Sequence, residues 1–262
     1  MNKTIIALVI VLIVVLGVGL YLIQSRANSP RINQTLMGKT EIPFGKFVKV
    51  SNQDYAPLGK VEIFEQSWIG CPVGAVASWA IFIIISHYGN VTYYTHYSDP
   101  YDKVAPNVPG IIFEGFKPNS SLLFDVVYTY NEYLNATPNG VPIPESQLVQ
   151  VGEQELVQQL PPNISSLIIK YETQVPVQGY NNASVYIVSP PHLNFALVVT
   201  GPNGTYILTT PLISPKALEG YNVSYVMSHM YNITALVQGA QYLQEVINEA
   251  FGSSTPVVNC VS

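Results

Sequence analysis

The residue with the clearest chemical potential in this chain is Cys71, which stands directly before a proline and an apolar run. A strand candidate from Lys60 to Phe64 precedes it, and Pro72 suits the first position of a helix, where a missing N–H costs nothing. A thiol at a helix N-terminus lies at the positive end of the helix dipole, which favours the thiolate over the thiol. The arrangement therefore indicates thiol chemistry at Cys71.

Other familiar catalytic and metal-binding patterns are missing from the sequence. The four histidines show no metal-binding spacing and no HExxH motif. His96 lies close in sequence to Asp99 and Asp102, and this closeness predicts a small polar cluster. We find no nucleophile elbow, Walker A lysine or dinucleotide-binding glycine fingerprint. The sequence therefore predicts no metal and no cofactor.

The charge composition separates this chain from ordinary soluble domains and from nucleic-acid-binding proteins. Charged residues make up 10% of the 262 residues, hydrophobic residues make up 48%, and the net charge is −5. From Pro118 onward the only basic residues are Lys170 and Lys216. Because no basic patch exists there to hold a phosphate backbone, we expect no nucleic-acid partner.

The N-terminal segment from Ile5 to Ile23 is apolar and carries no charge. Its length is close to the roughly 20 residues that a bilayer-spanning helix needs, and it exceeds a signal-peptide core of about 7–15 residues. We therefore expect residues 1–25 to be a single-pass transmembrane anchor, with a cleavage site at Ser25-Arg26-Ala27 as the alternative.

Asn-x-Ser/Thr sequons are far more frequent than composition explains, since chance gives roughly two to three. Apart from Asn2, they lie beyond the anchor, and this excess predicts an extracytoplasmic, N-glycosylated region. An asparagine-rich and serine-rich surface that generates sequons incidentally is the alternative. The nine are Asn33, Asn90, Asn119, Asn135, Asn163, Asn182, Asn203, Asn222 and Asn232.

Mixed helices and strands are predicted for the rest of the chain. The run from Ala75 to Ile85 is apolar on every side, which predicts a helix buried on both sides, and Gly201 to Gly204 predicts a hairpin turn. The other predicted helices are Leu122 to Leu134, Gln147 to Leu160 and Val237 to Phe251. The other predicted strands are Val91 to His96, Ile111 to Phe113, Val185 to Val188, Asn194 to Thr200 and Tyr206 to Thr209.

The strand, Cys-Pro turn and helix resemble the active-site region of the thioredoxin superfamily. The segments Gly70-Cys71-Pro72, Ala77-Ser78-Trp79-Ala80, Ser86-His87-Tyr88-Gly89-Asn90 and Asn107-Val108-Pro109, together with the tail from Gly252 to Cys260, resemble an uncharacterised family of exported, thioredoxin-like archaeal proteins. The resemblance implies an α/β fold with a thioredoxin-like sheet over residues 57–262 and a helical insertion at about 118–190. A tether over residues 26–56 would join it to the anchor. The implied peptide groove consists of Trp68, Pro72, Gly74 and Pro109.

Two departures from the family pattern bear on activity. Gly74 stands where the dithiol motif has its second cysteine. The resemblance also implies a further cysteine in the tail, and this chain has Asn248 at that position. A dithiol enzyme needs the second thiol to resolve the mixed disulfide. Three interpretations stay open: a structural Cys71–Cys260 disulfide, a free Cys71 thiol of lowered pKa, or two inert cysteines.

These observations lead to one functional expectation and two alternatives. We expect a membrane-anchored, extracytoplasmic glycoprotein of thioredoxin-like fold that binds or holds envelope or client proteins without redox activity. The enzymatic alternative is a monothiol disulfide exchanger or isomerase that uses Cys71, and it requires an accessible thiolate. The third possibility is a structural cell-surface protein in which the groove is filled.

Overall fold

The structure is a computed structural model that describes residues 41–252. Its main sheet has five strands in the order β1-β7-β6-β2-β5. Strands β3 and β4 form a separate two-stranded sheet. The bounds are β1 Val48–Ser51, β2 Val61–Ser67, β3 Gly89–Tyr97, β4 Pro109–Pro118, β5 Leu122–Tyr128, β6 Ala196–Gly201 and β7 Gly204–Leu208.

The described residues also form α-helices and short 3₁₀ turns between and after the strands. The α-helices are α1 Pro72–Ile85, α2 Leu148–Gln159, α3 Pro162–Thr173, α4 Val223–His229 and α5 Thr234–Phe251. Short 3₁₀ turns occupy Glu145–Gln147, Ser184–Tyr186, Pro215–Leu218 and Met230–Asn232. The mixed α/β class expected from the sequence is therefore confirmed.

Strand β2 lies inside the sheet and leads directly to Cys71. It pairs in parallel with β5, from Val61 opposite Leu122 to Ser67 opposite Tyr128, and antiparallel with β6. All of its residues except Glu62 are buried. A strand buried on both faces fits a position between two other strands, with helices on either side.

Helix α1 is the buried helix that the sequence predicts. Every residue except Phe82 is buried, and Pro72 occupies the first turn. The indole N–H of Trp79 donates a hydrogen bond of 2.8 Å to the Pro109 carbonyl, which fixes the start of β4 against the helix. On its other side, α1 packs on α5. Gly239 of α5 lies close to Ala80 of α1, and a side chain at Gly239 would overlap Ile213.

The predicted strand–helix–strand order is correct, but its second strand is different. Residues Val91 to His96 lie in β3, which pairs only with β4 outside the main sheet. The parallel partner of β2 is β5, in the segment from Leu122 to Leu134 that was predicted as a helix. That prediction is wrong because the strand conformation of this segment depends on its parallel pairing with β2, which is distant in sequence.

Two further sequence predictions are corrected. The segment from Val185 to Val188 is not a strand, since Ser184–Tyr186 forms a 3₁₀ turn. Pro161 and Pro162 end α2 as expected, but Pro162 also begins α3, a helix that the sequence analysis missed. The hairpin over Gly201 to Gly204 and helix α5 agree with the predictions.

The packed region begins before residue 57 and contains part of the expected insertion. Strand β1, in the segment interpreted as a tether, pairs with β7, and β5 belongs to the sheet although it lies after residue 118. Within residues 41–252 no helix is both long and apolar enough to cross a bilayer. The predicted anchor over residues 5–23 lies outside the described residues.

Candidate functional site

Cys71 is the N-cap residue of α1, as the sequence predicts, but its thiol is enclosed. The residue is 1% exposed, and its Sγ accepts a hydrogen bond from the Gly74 backbone N–H at 3.2 Å. The thiol in turn donates to the Asn194 carbonyl at 3.5 Å. The side chain therefore joins the start of α1 to the segment that enters β6.

The protonation state of Cys71 follows from this burial. Burial raises the pKa of the thiol from 9.0 to about 12, although the Gly74 N–H, the Ser67 hydroxyl and the Val73 N–H each act to lower it. Loss of hydration outweighs the donors at the helix N-terminus, because a thiolate in an apolar interior loses its solvation. Cys71 is therefore a neutral thiol at physiological pH.

A second buried acid, Glu172 of α3, lies close enough to influence Cys71. Its carboxylate accepts hydrogen bonds from the backbone N–H groups of Asn194, at 3.0 Å, and Phe195, at 3.1 Å. Burial raises the pKa of Glu172 to about 8, and its negative charge adds to the raised pKa of Cys71. Glu172 thus anchors α3 to the entry of β6 beside the thiol.

Two glycines allow the chain to close around Cys71. A Cβ at Gly74 would overlap the Ser67 Oγ, and a Cβ at Gly70 would overlap the carbonyl oxygen of Glu132. The Asp99 backbone N–H donates to the Gly70 carbonyl at 2.9 Å. The loops that carry Asp99 and Glu132 therefore lie directly over the turn before Cys71.

The four residues of the predicted groove are all buried. Trp68 is 3% exposed and packs edge to face against His192, with ring centroids 5.4 Å apart. Pro72 and Gly74 lie in the first turn of α1, and Pro109 is held by Trp79. They surround one end of α1, but none of them presents a surface to solvent.

The histidines and aspartates that the sequence singled out do not form a metal site in the described part of the chain. Burial lowers the pKa of His96 and of His192 to about 4. Asp99 and Asp102 accept backbone N–H groups of their own loop. Across residues 41–252 no three His, Cys, Asp or Glu side chains are grouped to hold a metal ion.

Strand β2 carries a buried polar segment that the sequence analysis did not recognise. Glu65 and Gln66 are buried, and the Glu65 Oε2 and both polar atoms of the Gln66 amide have no hydrogen-bond partner. Burial raises the pKa of Glu65 to about 8. The available signal was Glu65-Gln66-Ser67 continuing an apolar strand directly toward Cys71.

The asparagines of the predicted sequons within the described region are all exposed. They are Asn90, Asn119, Asn135, Asn163, Asn182, Asn203, Asn222 and Asn232. Asn33 and Cys260 lie outside the described residues, so the disulfide between Cys71 and Cys260 stays a prediction. Within the described residues Cys71 is a free thiol.

Comparison with known proteins places the chain in a family. The model of the family described as Domain of unknown function (DUF929) matches residues 46–249. The chain belongs to this family. The match includes β1 and ends within α5, which agrees with the packed region that contains the main sheet. No curated protein and no solved structure matches the chain.

Proposed function

We propose that this member of the DUF929 family is a membrane-anchored, extracytoplasmic glycoprotein whose thioredoxin-like domain binds or holds partner proteins without redox activity. The observation that carries the absence of redox activity is the enclosed Cys71, a buried thiol with a raised pKa at the helix N-terminus. The superfamily that this turn resembles needs an accessible thiolate at the same position. Because the four residues of the expected groove are buried as well, a partner would bind outside that groove, and a structural cell-surface protein is the alternative that the filled groove favours.

The strand order supports a thioredoxin-like assignment. Strands β2 and β5 are parallel and joined through α1, and the antiparallel pair β6 and β7 is followed by α5. Cys71 occupies the end of β2 at the start of α1, as in the resemblance noted above. Strand β1, the β3–β4 hairpin and helices α2 and α3 would then be additions to that plan.

Gly74 supports the absence of a two-cysteine cycle. A cysteine there would supply the second thiol of the dithiol motif, yet a Cβ at this position would overlap the Ser67 Oγ. Without a resolving thiol, a mixed disulfide on Cys71 has no partner within the motif to release it. The packing of the turn thus suits a single cysteine.

The exported location rests on the predicted anchor and the sequons. Residues 5–23 have the length and composition of a membrane-spanning helix. The described sequon asparagines occupy exposed positions from β3 to the start of α5, which supports glycosylation on several sides of the domain. Glycans need surface asparagines, and an exported domain is where they are attached.

The thiol reactivity of Cys71 tests the proposal. The full chain with Cys260→Ser, solubilised in detergent, is treated with a maleimide at pH 8 before and after unfolding. A thiol with a pKa of about 12 has about one thousandth of the thiolate of a thiol with a pKa of 9.0. We therefore expect native Cys71 to react at least about a hundredfold more slowly than the unfolded chain.

An activity assay distinguishes the monothiol alternative. The same protein and a variant with both Cys71→Ser and Cys260→Ser are compared for reduction of insulin disulfides by dithiothreitol. Equal rates are expected from a redox-inactive domain. Fast alkylation of native Cys71, together with a rate that depends on Cys71, would support a monothiol exchanger instead.

A further inference from the structure

Three exposed tyrosines, called here the tyrosine patch, are connected through Glu132 and a ring contact on the loops beside the Cys71 turn. They are Tyr94 of β3, Tyr101 in the loop after β3, and Tyr133 in the loop after β5. Their exposed fractions are 45%, 81% and 48%. The Tyr101 and Tyr133 rings lie 6.4 Å apart between centroids. Exposed aromatic groups of this kind are frequent at protein interfaces.

Carboxylates surround the tyrosine patch. Burial and the charges of Glu114 and Glu132 raise the pKa of Tyr94, and Glu132 with Asp99 raises the pKa of Tyr133. The loops after β3 and β5 carry three acidic residues, Asp99, Asp102 and Glu132, against one basic residue, Lys103. The surface therefore combines exposed tyrosine rings with an excess of negative charge.

The patch covers the region where a thioredoxin-like domain would meet a partner. The Asp99 N–H bonds to the Gly70 carbonyl, and the Glu132 carbonyl lies against Gly70. The two loops that enclose Cys71 thus carry Tyr101 and Tyr133 on their outer side. A partner could engage this surface without any contact with the thiol.

We propose that the tyrosine patch binds an arginine-bearing segment of a partner protein, an inference that rests on the partner-binding role proposed above. A guanidinium group stacks on tyrosine rings and donates two parallel hydrogen bonds to a carboxylate, whereas an ammonium group does not match this planar geometry. The carboxylates also attract cations from a distance and so favour a basic segment over a neutral one.

A pair of peptides tests the charge requirement. The full chain in detergent is titrated with a fluorescent tetra-arginine peptide and with the same peptide in which citrulline replaces arginine. Citrulline keeps the planar shape and loses the charge. We expect saturable binding of the arginine peptide that weakens severalfold as salt rises to about 0.5 M. Equal binding of both peptides would overturn the proposal.

Matched variants test the location. Tyr101→Ala and Glu132→Gln are each expected to weaken binding of the arginine peptide about two- to fivefold, the range of an exposed cation–π contact. Tyr231→Ala and Glu219→Gln change an exposed tyrosine and an exposed carboxylate elsewhere and should leave binding unchanged. A similar loss in the control variants would mean that net charge, not the patch, attracts the peptide.

The two proposals fail separately. If the arginine peptide did not bind the tyrosine patch and Cys71 were alkylated slowly, the protein would remain a redox-inactive scaffold whose partner binds elsewhere. Circular dichroism of Tyr101→Ala and Glu132→Gln verifies that each variant is folded, so that a loss of binding reports the removed group. Reactive Cys71 with intact peptide binding would reject the redox-inactive role and keep the docking surface.

Discussion

The buried carboxyl group of Glu65 makes the stability of this protein depend on pH. Glu65 lies on β2, is fully enclosed, and its Oε2 has no hydrogen-bond partner. Burial raises its pKa from 4.5 to about 8, and its charge would also raise the pKa of the neighbouring Tyr128. At neutral pH the folded protein therefore holds a proton on Glu65 that the unfolded chain releases.

The direction of the effect follows from proton binding. Between pH 4.5 and pH 8 the folded state binds more protons at Glu65 than the unfolded state, so the free energy of unfolding falls as pH rises through this window. Each pH unit corresponds to about 1.4 kcal/mol, and the full window gives at most about 5 kcal/mol. The contribution is complete below pH 4.5 and lost above pH 8.

The variant Glu65→Gln keeps the shape of the side chain and removes the titration. Urea unfolding of the full chain, followed by the fluorescence of the buried Trp68 and Trp79, is measured at pH 5 and pH 7.5. We expect similar stabilities at pH 5 and a variant more stable by about 2–3 kcal/mol at pH 7.5. Glu219→Gln, at an exposed position, serves as the control.

One result would refute this reasoning about Glu65. If the difference between the wild-type protein and Glu65→Gln were the same at both pH values, the carboxyl group would have the same proton affinity in the folded and unfolded states. Glu172 would then become the test of whether any buried acid contributes, since burial raises its pKa in the same direction.

Two further outcomes are expected around Cys71. Gly70→Ala should cost about 1–3 kcal/mol and speed Cys71 alkylation, because the added Cβ displaces the Glu132 carbonyl; unchanged alkylation would mean that this loop does not shield the thiol. The Cys71 Sγ is enclosed by the Gly74 N–H and the Asn194 carbonyl, so peptide mapping of the wild-type chain without reduction should show no linkage between Cys71 and Cys260. A linked Cys71–Cys260 peptide would instead establish the structural disulfide.

The parts of the fold with strong local signals could be predicted from sequence. Pro72 and the continuous apolar run fixed α1, and the turn ending in Gly204, with φ +117°, marked the β6–β7 hairpin. Strand β5 was missed because its identity depends on pairing with β2, a contact distant in sequence. Helix α3 was missed because a Pro-Pro pair ends one helix and begins another.

The candidate site was only partly accessible to sequence reasoning. The position of Cys71 at a helix N-terminus was predicted, and a free thiol of lowered pKa was one of the three interpretations that stayed open. The structure reverses the direction of that shift, because Asn194 and Glu172 arrive from segments more than a hundred residues away and complete the enclosure. The effect of the helix N-terminus on the Cys71 pKa could be predicted from the sequence, whereas the burial of Cys71 depends on tertiary contacts that the sequence does not show.

The pairing of β1 with β7 has a consequence for how the protein folds. Val48 lies opposite Ile207, so the first strand of the domain finds its partner only after well over half of the chain has followed it. The parallel β2–β5 pair also waits for the whole β3–β4 hairpin. Such nonlocal pairing slows folding. A chain emerging from its N-terminus onward therefore cannot complete the sheet until β7 is available, and β1 remains without its partner until then.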